Sequence, residues 1–437
     1  MLPEFQGSDM ARPIGLKAGF RTPFVKMDGA FASLNAVDLS VRLVNEMLVK
    51  RVVPAEFIQH VIWGMVVPDP NIYSIAREVV LGSSLDNRIE AYSVGRACAT
   101  SLQAATNAAL YYHAFPEELS VTLAGGAESF SSVRPVLTNA VAKYFKSLAA
   151  KGSVLEKLAR LLKIPVTKLF PIPPSAREYS TGLTMGEHCE LMVKEFHIAR
   201  DRQDRFALAS HRNAVKARGE VKRWIVPLAG VERDTLVRDN TSLDQLAKLK
   251  PAFDRLGGSI TAGNASPFTD GAAALYVISP ALEDQVKPDA YLKDFEYVAV
   301  SPKDGLLMGP GKAMLRILKR HNLKWSDLDY IEMHEAFAGQ VLSNVDALNQ
   351  PEYRKNQYGV EYDPGTLREE VLNPWGSSIA YGHPFGATGA RMISQAVAYL
   401  DQSNKRLALV AACTAGALAG ACLVSTGRRP EGDVARV

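Results

Sequence analysis

Cys98, His334, His383 and Cys413 have the types and settings for covalent and acid–base chemistry. Cys98 lies in the run YSVGRACAT, where a predicted strand ends and a predicted helix begins. A helix N-terminus presents free N–H groups and partial positive charge. Both lower a thiol's pKa and raise its nucleophilic fraction. A buried, inert cysteine is the other reading of that position. His383 opens the corresponding helix in the second half, in YGHPFGATG. The glycines and the proline around it hold a tight turn, which costs stability unless the histidine must be placed accurately. Cys413 follows the apolar run 407–412 and precedes a turn of small residues. A thiol at the C-terminal end of a strand sits where α/β proteins bind ligands, though a core cysteine also fits. His334 and Glu335 end a further strand, either as a polar cap or aimed into the same site. Cys422, inside an apolar strand, and Cys189, in a helical stretch, read as structural.

The elements that must position these residues alternate. Residues 13–20 read as a strand, 36–50 as a helix, 60–66 as a strand, 99–112 as an alanine-rich helix and 119–124 as a buried strand ending in two glycines. That rhythm means crossover units on a largely parallel sheet. The second half repeats the first. PAEFIQHVIWG from Pro54 and KWSDLDYIEMH from Lys324 each run from a polar start into an apolar strand. Residues 96–112 and 383–399 each open with a turn and become helices, followed by a strand and a small-residue turn. Each half closes on a Gly/Ala-rich strand, at 270–279 and 420–425. The matched order of these features predicts a duplication packed as a pseudo-twofold pair. The predicted divisions are a first half over 1–128 completed by 259–280, an insert over 129–258, and a second half over 281–437.

Length and composition agree. At ~150 residues per domain, 437 residues suggest about three units. Hydrophobic residues at 47% and charged residues at 22% are ordinary for a globular chain and exclude disordered or fibrous classes. A net charge of +4 is too weak to argue for nucleic acid. Four cysteines are too few for a disulfide framework. No apolar run reaches the ~20 residues of a membrane span. The start of the chain carries Glu4 and Asp9 without a signal-peptide pattern, so an intracellular protein is expected, in a bacterial cytoplasm or a mitochondrial matrix. Within the insert, residues 133–172 hold eight basic residues against one acid, Glu156. Apolar residues recur there at helical spacing, at Val141, Phe145 and Leu148, then Leu155, Leu158, Leu161 and Leu162. A basic amphipathic stretch suits a membrane surface or an anionic partner; a surface helix pair covering the insert is the alternative.

Taken together, the Cys98 block, Gly263-Asn264-Ala265-Ser266, His334-Glu335-Ala336-Phe337, Gly382-His383-Pro384 and Cys413 resemble the thiolases, acyl-CoA acyltransferases of β-oxidation and its reverse. Their order and spacing agree from Arg21-Thr22-Pro23 to Val424. Histidine rather than asparagine before Glu-Ala-Phe, the RACAT and YSTG motifs and the long basic insert resemble the β-subunit of the fatty-acid oxidation trifunctional complex.

The resemblance implies an α/β fold of duplicated βαβαβαββ halves in five layers, α-β-α-β-α, with an inserted loop domain. It implies a 3-ketoacyl-CoA thiolase. Cys98 would be the nucleophile, His383 its base and an oxyanion contact, Cys413 the acid/base at the enolate carbon, and His334 part of an oxyanion hole. The backbone N–H of Ala415 would be a further oxyanion donor. Met185, Ser266, Ala336 and Phe337 would line the CoA tunnel. Coenzyme A would be a co-substrate, with no bound cofactor and no metal. A homodimer is implied, with a hydratase/3-hydroxyacyl-CoA dehydrogenase subunit as a possible partner. Two departures stand out: Ala415 and Ala417 where relatives often have glycine, and Glu187-His188-Cys189-Glu190 after Met185-Gly186. A biosynthetic acetoacetyl-CoA thiolase is the near alternative. A ketoacyl synthase is the further one, and Cys413 and Glu335 argue against it.

Overall fold

A computed structural model describes residues 12–149, 153–172 and 177–427. The first half runs β1 (Ile14–Lys17), β2 (Val25–Lys26), α1 (Ala36–Lys50), β3 (Ile58–Gly64), α2 (Ile75–Gly82), β4 (Glu90–Ser93), α3 (Thr100–Ala114) and β5 (Val121–Glu128). Six helices follow: α4 (Asn139–Leu148), α5 (Val154–Leu162), α6 (Met185–Glu195), α7 (Arg200–Lys216), α8 (Arg218–Lys222) and α9 (Leu243–Ala247). Then come β6 (Thr269–Ile278), β7 (Ala290–Ala299), α10 (Gly309–Arg320), β8 (Tyr330–Met333), α11 (Ala338–Leu348), α12 (Pro351–Asn356), α13 (Ser378–Tyr381), α14 (Thr388–Gln402), β9 (Leu407–Thr414) and β10 (Leu418–Ser425).

The strands form one ladder in the order β4-β3-β5-β6-β1-β7-β10-β9-β8, with β2 pairing β6. Apart from β4, the order is a palindrome about the antiparallel β1–β7 contact. β3 runs parallel to β5 as β8 does to β9. β5–β6 and β6–β1 are antiparallel, as are β9–β10 and β10–β7. The pairing, and not only the element order, is thus duplicated. α3 and α14 pack on each other between strands of the two halves, with α1 and α2 on the first-half strands and α10 on the second. This is the five-layered α-β-α-β-α arrangement. Its central helices explain their composition. α3 buries Leu102, Ala104, Ala105, Ala108, Ala109 and Tyr112, and a helix with sheets on both sides needs small apolar residues nearly all round. β5 and β9 are likewise buried at every position, as expected for strands covered on both faces. α1 begins where Asn35 and Asp38 form a reciprocal capping box.

Three expectations are corrected. The sheet is not largely parallel: among the described strands β3–β4, β3–β5 and β8–β9 run parallel, and the other six pairings are antiparallel. The strand read over 13–20 stops at Lys17, because the next amides leave the ladder: Ala18 N–H donates to Asp289 and Gly19 N–H to Ser394. Of the strands read over 259–279, only β6 forms. Residues 259–268 are a loop tied by Asn264, whose side chain accepts from Thr261 N–H and donates to Asp204 and Ser259. In the second half, the counterpart of β4 is reduced to one bridge, Ile331–Leu372. Asn373, at φ +52°, follows it. Its side-chain amide accepts from Met333 N–H and donates to Met333 C=O, doing the job of a neighbouring peptide.

Between β5 and β6, α6 and α7 pack on α11 of the second half, while α4 and α5 pack on each other. In α4 and α5 only Val141 is buried. Leu155 and Leu162 are 79% and 78% exposed, and Phe145, Val154 and Leu158 are exposed beside them. Lys151 lies outside the described residues.

Candidate active site

Cys98 is set by a strained turn. A short 3-10 turn, Ala97–Ala99, follows β4 and runs into α3. Ala97 sits at φ +41°, a left-handed conformation that costs an L-residue about 1–2 kcal/mol. Arg96 N–H donates to Thr100 Oγ1 at 2.8 Å, which ties the turn to the helix. Cys98 keeps partial exposure while Ala99 and Thr100 are fully buried. The lowered thiol pKa expected from the helix N-terminus does not hold. Burial pushes the Cys98 thiol up to about 12, against the opposing pull of the Ala415 and Cys98 N–H groups. The desolvation penalty outweighs two N–H dipoles, so the resting thiol is protonated and needs a base.

His383 is placed by a turn that only glycine permits. Gly382 has φ +96°, and a Cβ there would lie 2.3 Å from Thr269 Oγ1. That close approach lets His383 N–H donate to Thr269 Oγ1 at 2.9 Å and Pro267 C=O at 3.1 Å. Gly386 N–H donates to Glu128, which also accepts from Val66 and Val67 N–H. Glu128 thereby ties the His383 turn to the end of β5. Burial raises its carboxyl to about 7. His383 Nδ1 lies 2.6 Å from Thr388 Oγ1, and the Thr388 hydroxyl donates to Pro384 C=O at 3.0 Å. A carbonyl can only accept, and a hydroxyl has one hydrogen. Thr388 therefore accepts from His383 Nδ1–H, which leaves Nε2 with a bare lone pair. Burial, then His334 and Arg391, hold His383 well below the ordinary histidine range. It rests neutral, as a base must.

His334 follows β8, its N–H donating to Ala411 C=O of β9 at 2.8 Å. Its ring centroid is 4.2 Å from that of His383. Nδ1 lies 2.9 Å from Ser378 Oγ. Burial, then the Arg391 charge, lower its pKa to about 3. Glu335 does not share the site. Its carboxylate accepts from Ser210, Asn373 and Ile379 N–H and is pushed up to about 7 by burial. It braces the loop after Leu372.

Cys413, near the end of β9, is 1% exposed. β9 packs on the Ala97–Ala99 turn. Burial raises the Cys413 thiol well above its ordinary value, and charge on Cys98 raises it further. In the turn that follows, the left-handed residues are Gly416 at φ +78° and Ala417 at φ +57°. Ala415 is outside that region, so its N–H keeps its direction. Cys189 and Cys422 are fully buried.

Cys98 Sγ and one ring nitrogen each of His334 and His383 lie within 4.8 Å of one another. This trio also has the composition of a soft-metal site. Neither histidine's Nε2 has a partner among the described residues. A second group of residues is held together by its own contacts. Ser266 N–H and Oγ–H both donate to Ala336 C=O. Phe337 meets Phe253 edge-on at 5.8 Å, and Phe253 occupies the space a Cβ on Gly186, next to Met185, would need.

The family models for “Thiolase, N-terminal domain” and “Thiolase, C-terminal domain” match residues 16–281 and 286–426. The chain belongs to the thiolase family. It is 39% identical over 429 residues to the 3-ketoacyl-CoA thiolase of Colwellia psychrerythraea, covering 94% of this chain and 97% of that protein. It is 39% identical over 422 residues to that of Escherichia coli O7:K1, covering 94% and 96%. Human mitochondrial 3-ketoacyl-CoA thiolase in complex with CoA superposes with a TM-score of 0.81 at 25% identity, over 95% of this chain and 98% of that one. The Bacillus anthracis acetyl-CoA acetyltransferase gives 0.78 at 26%, over 96% and 100%.

Several residues of this thiolase site carry no local sequence signal. Thr388, Ser378, Glu128, Asn373 and Arg391 are ordinary polar residues in the chain. Only the fold brings their hydroxyls, carboxylate, amide and guanidinium against the loops that hold the histidines. Thr388 was the most accessible of them, lying one helical turn beyond a glycine-bounded histidine.

Proposed function

We propose that this thiolase cleaves 3-ketoacyl-CoA with CoA, giving acetyl-CoA and a shortened acyl-CoA. The observation that carries this is the meeting of Cys98, His334 and His383 within 4.8 Å, with the strand that bears Cys413 packed on the Cys98 turn. The names borne by its relatives, and the CoA in the superposed human structure, support the same substrate class. His383 Nε2 takes the Cys98 proton as the sulfur attacks the 3-keto carbon. The N–H groups of Cys98 and Ala415 are the donors for the tetrahedral oxyanion. Collapse breaks the Cα–Cβ bond and leaves the acetyl-CoA enolate, its oxygen held by His334 and protonated His383. Cys413 protonates the enolate carbon. The acyl group stays on Cys98 until CoA, passing its thiol proton to the Cys413 thiolate, takes it up and leaves, while His383 returns its proton to Cys98; this divides one hard step into two. Met185, Ser266, Ala336 and Phe337 are assigned to the CoA pantetheine.

A degradative role on longer chains, with acetoacetyl-CoA synthesis as the alternative, is part of this reading. The division into two halves and an insert, a homodimer, a hydratase/dehydrogenase partner and an intracellular setting belong to the same proposal. So does peripheral docking of the α4–α5 face on an anionic membrane. Among the described residues no helix is long and apolar enough to cross one. The test is thiolysis of acetoacetyl-CoA and of 3-ketoacyl-CoA substrates of increasing length. Ketoacyl-CoA consumption with an acyl adduct on Cys98 is the expected result. No turnover at any length, or condensation only with a decarboxylating donor, overturns the reading.

A further inference from the structure

The two facing histidines are held by different hydroxyl arrangements, and the difference sets which nitrogen of each carries hydrogen. We infer that Ser378, itself oriented by Arg391, fixes the His334 hydrogen on Nε2, so that His334 meets substrate as a neutral hydrogen-bond donor. Ser378 Oγ lies 2.9 Å from His334 Nδ1 and 3.1 Å from Arg391 Nη2. A guanidinium can only donate, so Ser378 accepts from Arg391. Its own hydrogen then has His334 Nδ1 as the acceptor within reach. If Nδ1 carried the hydrogen instead, Ser378 would accept twice, and its hydroxyl hydrogen would be stranded in a site with no exposure. An unmade buried hydrogen bond of that kind is disfavoured. A bare Nδ1 on a neutral ring means hydrogen on Nε2, the nitrogen that has no partner among the described residues.

Arg391 cannot turn away to relax this. Its Nη1 donates to Glu332, and its Nη2 also donates to Ser377 Oγ at 3.0 Å. Glu332 accepts in addition from Ser377 Oγ at 2.7 Å and from the Tyr330 hydroxyl at 2.5 Å. All of these groups are buried. Ser378 is thus a positioning residue. The device makes one imidazole a donor beside His383, whose Thr388 contact makes the other an acceptor. Two identical side chains thereby take opposite roles within 4.8 Å of one thiol. It also opposes the soft-metal reading of the trio, since ligation through His334 Nε2 would need the hydrogen moved to Nδ1 against Ser378.

This deepens the thiolase reading and rests on it for the identity of the acceptor, but the hydrogen position can be measured without turnover. Full-length protein selectively labelled with ¹⁵N-histidine reports protonated and bare ring nitrogens by their shifts, and His334→Asn identifies the His334 signals. The expected wild-type spectrum shows His334 with protonated Nε2 and bare Nδ1. Ser378→Ala should give a mixture of the two forms and lower kcat for thiolysis by about tenfold or more with little change in KM. The full loss of such a donor, ~10²–10³ in kcat, sets the upper bound. Ser378→Thr, which keeps the hydroxyl, should restore both. A wild-type His334 protonated on Nδ1, or on both nitrogens, overturns the inference. So does Ser378→Ala with an unchanged spectrum and unchanged kcat. If Ser378→Ala does not fold, the wild-type spectrum decides alone. If the wild type turns over no ketoacyl-CoA, the proposed function fails while the spectrum still tests Ser378.

Discussion

Cys98 and His383 meet as a neutral pair, and that has a measurable pH signature. The thiol lies far above the ordinary cysteine range because burial dominates, and His383 lies far below the ordinary histidine range for the same reason. A thiol whose pKa is raised gains thiolate as pH rises, by about tenfold per unit below that pKa. Iodoacetamide inactivation of the free enzyme is therefore expected to accelerate steadily from pH 6 to pH 9 without levelling. A plateau beginning below neutral would mean a preformed thiolate–imidazolium pair and contradict the assignment. The two thiols assigned to catalysis should also separate by mutation. Cys98→Ala should lose thiolysis by ~10⁴-fold or more, as removal of a covalent nucleophile does, and should yield no acyl adduct by mass spectrometry. Cys413→Ala should still acylate Cys98 from an acyl-CoA while losing carbon–carbon bond cleavage. An adduct on Cys413 or Cys189, or normal thiolysis without Cys413, would refute these roles.

Among the elements, α4 and α5 are the ones whose chemistry the reaction leaves unused. Their apolar face is open to solvent beside Lys143, Lys146, Lys157 and Arg160. Exposed charges are screened over ~8 Å at physiological ionic strength, so docking through them should weaken with salt. Reversing these four residues to glutamate should abolish co-sedimentation with anionic vesicles and leave activity on a short substrate intact. Unchanged sedimentation would make the face structural cover; lost activity would show that it supports the fold. The segments around the site are a different case. Buried acceptors tie them together: Glu128, which ends β5, accepts from Val66 N–H, Glu335, after β8, accepts from Ile379 N–H, and the Asn373 amide accepts from Met333 N–H.

For the whole molecule, the central layer makes the halves interdependent. Ser101 Oγ accepts from Ala390 N–H at 2.8 Å, and a Cβ on Gly389 would lie 2.3 Å from Leu102 N. α3 and α14 therefore meet almost backbone to backbone. Cys98 lies in one half, and His334, His383 and Cys413 in the other. Fragments 1–284 and 285–437 made separately are expected to lack cooperative unfolding, because each would expose its share of that layer to water. Mixed, they should recover thiolase activity. A first-half fragment that unfolds cooperatively by itself would show that its own core suffices.

The sequence by itself determined the repeat, the helices over 36–50, 99–112 and 383–399, and the four reactive side chains. α1 runs over the residues its periodicity and cap dictate, and Cys98, His383 and Cys413 stand at element ends because local turn chemistry puts them there. These are short-range properties, settled by spacing and by glycine, proline and capping residues. Tertiary structure decided what depends on partners distant in the chain. It made most of the strand pairings antiparallel and turned Glu335 away from the site. It reversed the expected Cys98 pKa shift, because desolvation is a property of everything packed around a thiol and not of the helix that follows it. It also gave His334 and His383 opposite polarity through Ser378 and Thr388, since a ring nitrogen's hydrogen is set by the group across from it, which spacing along the chain does not reveal.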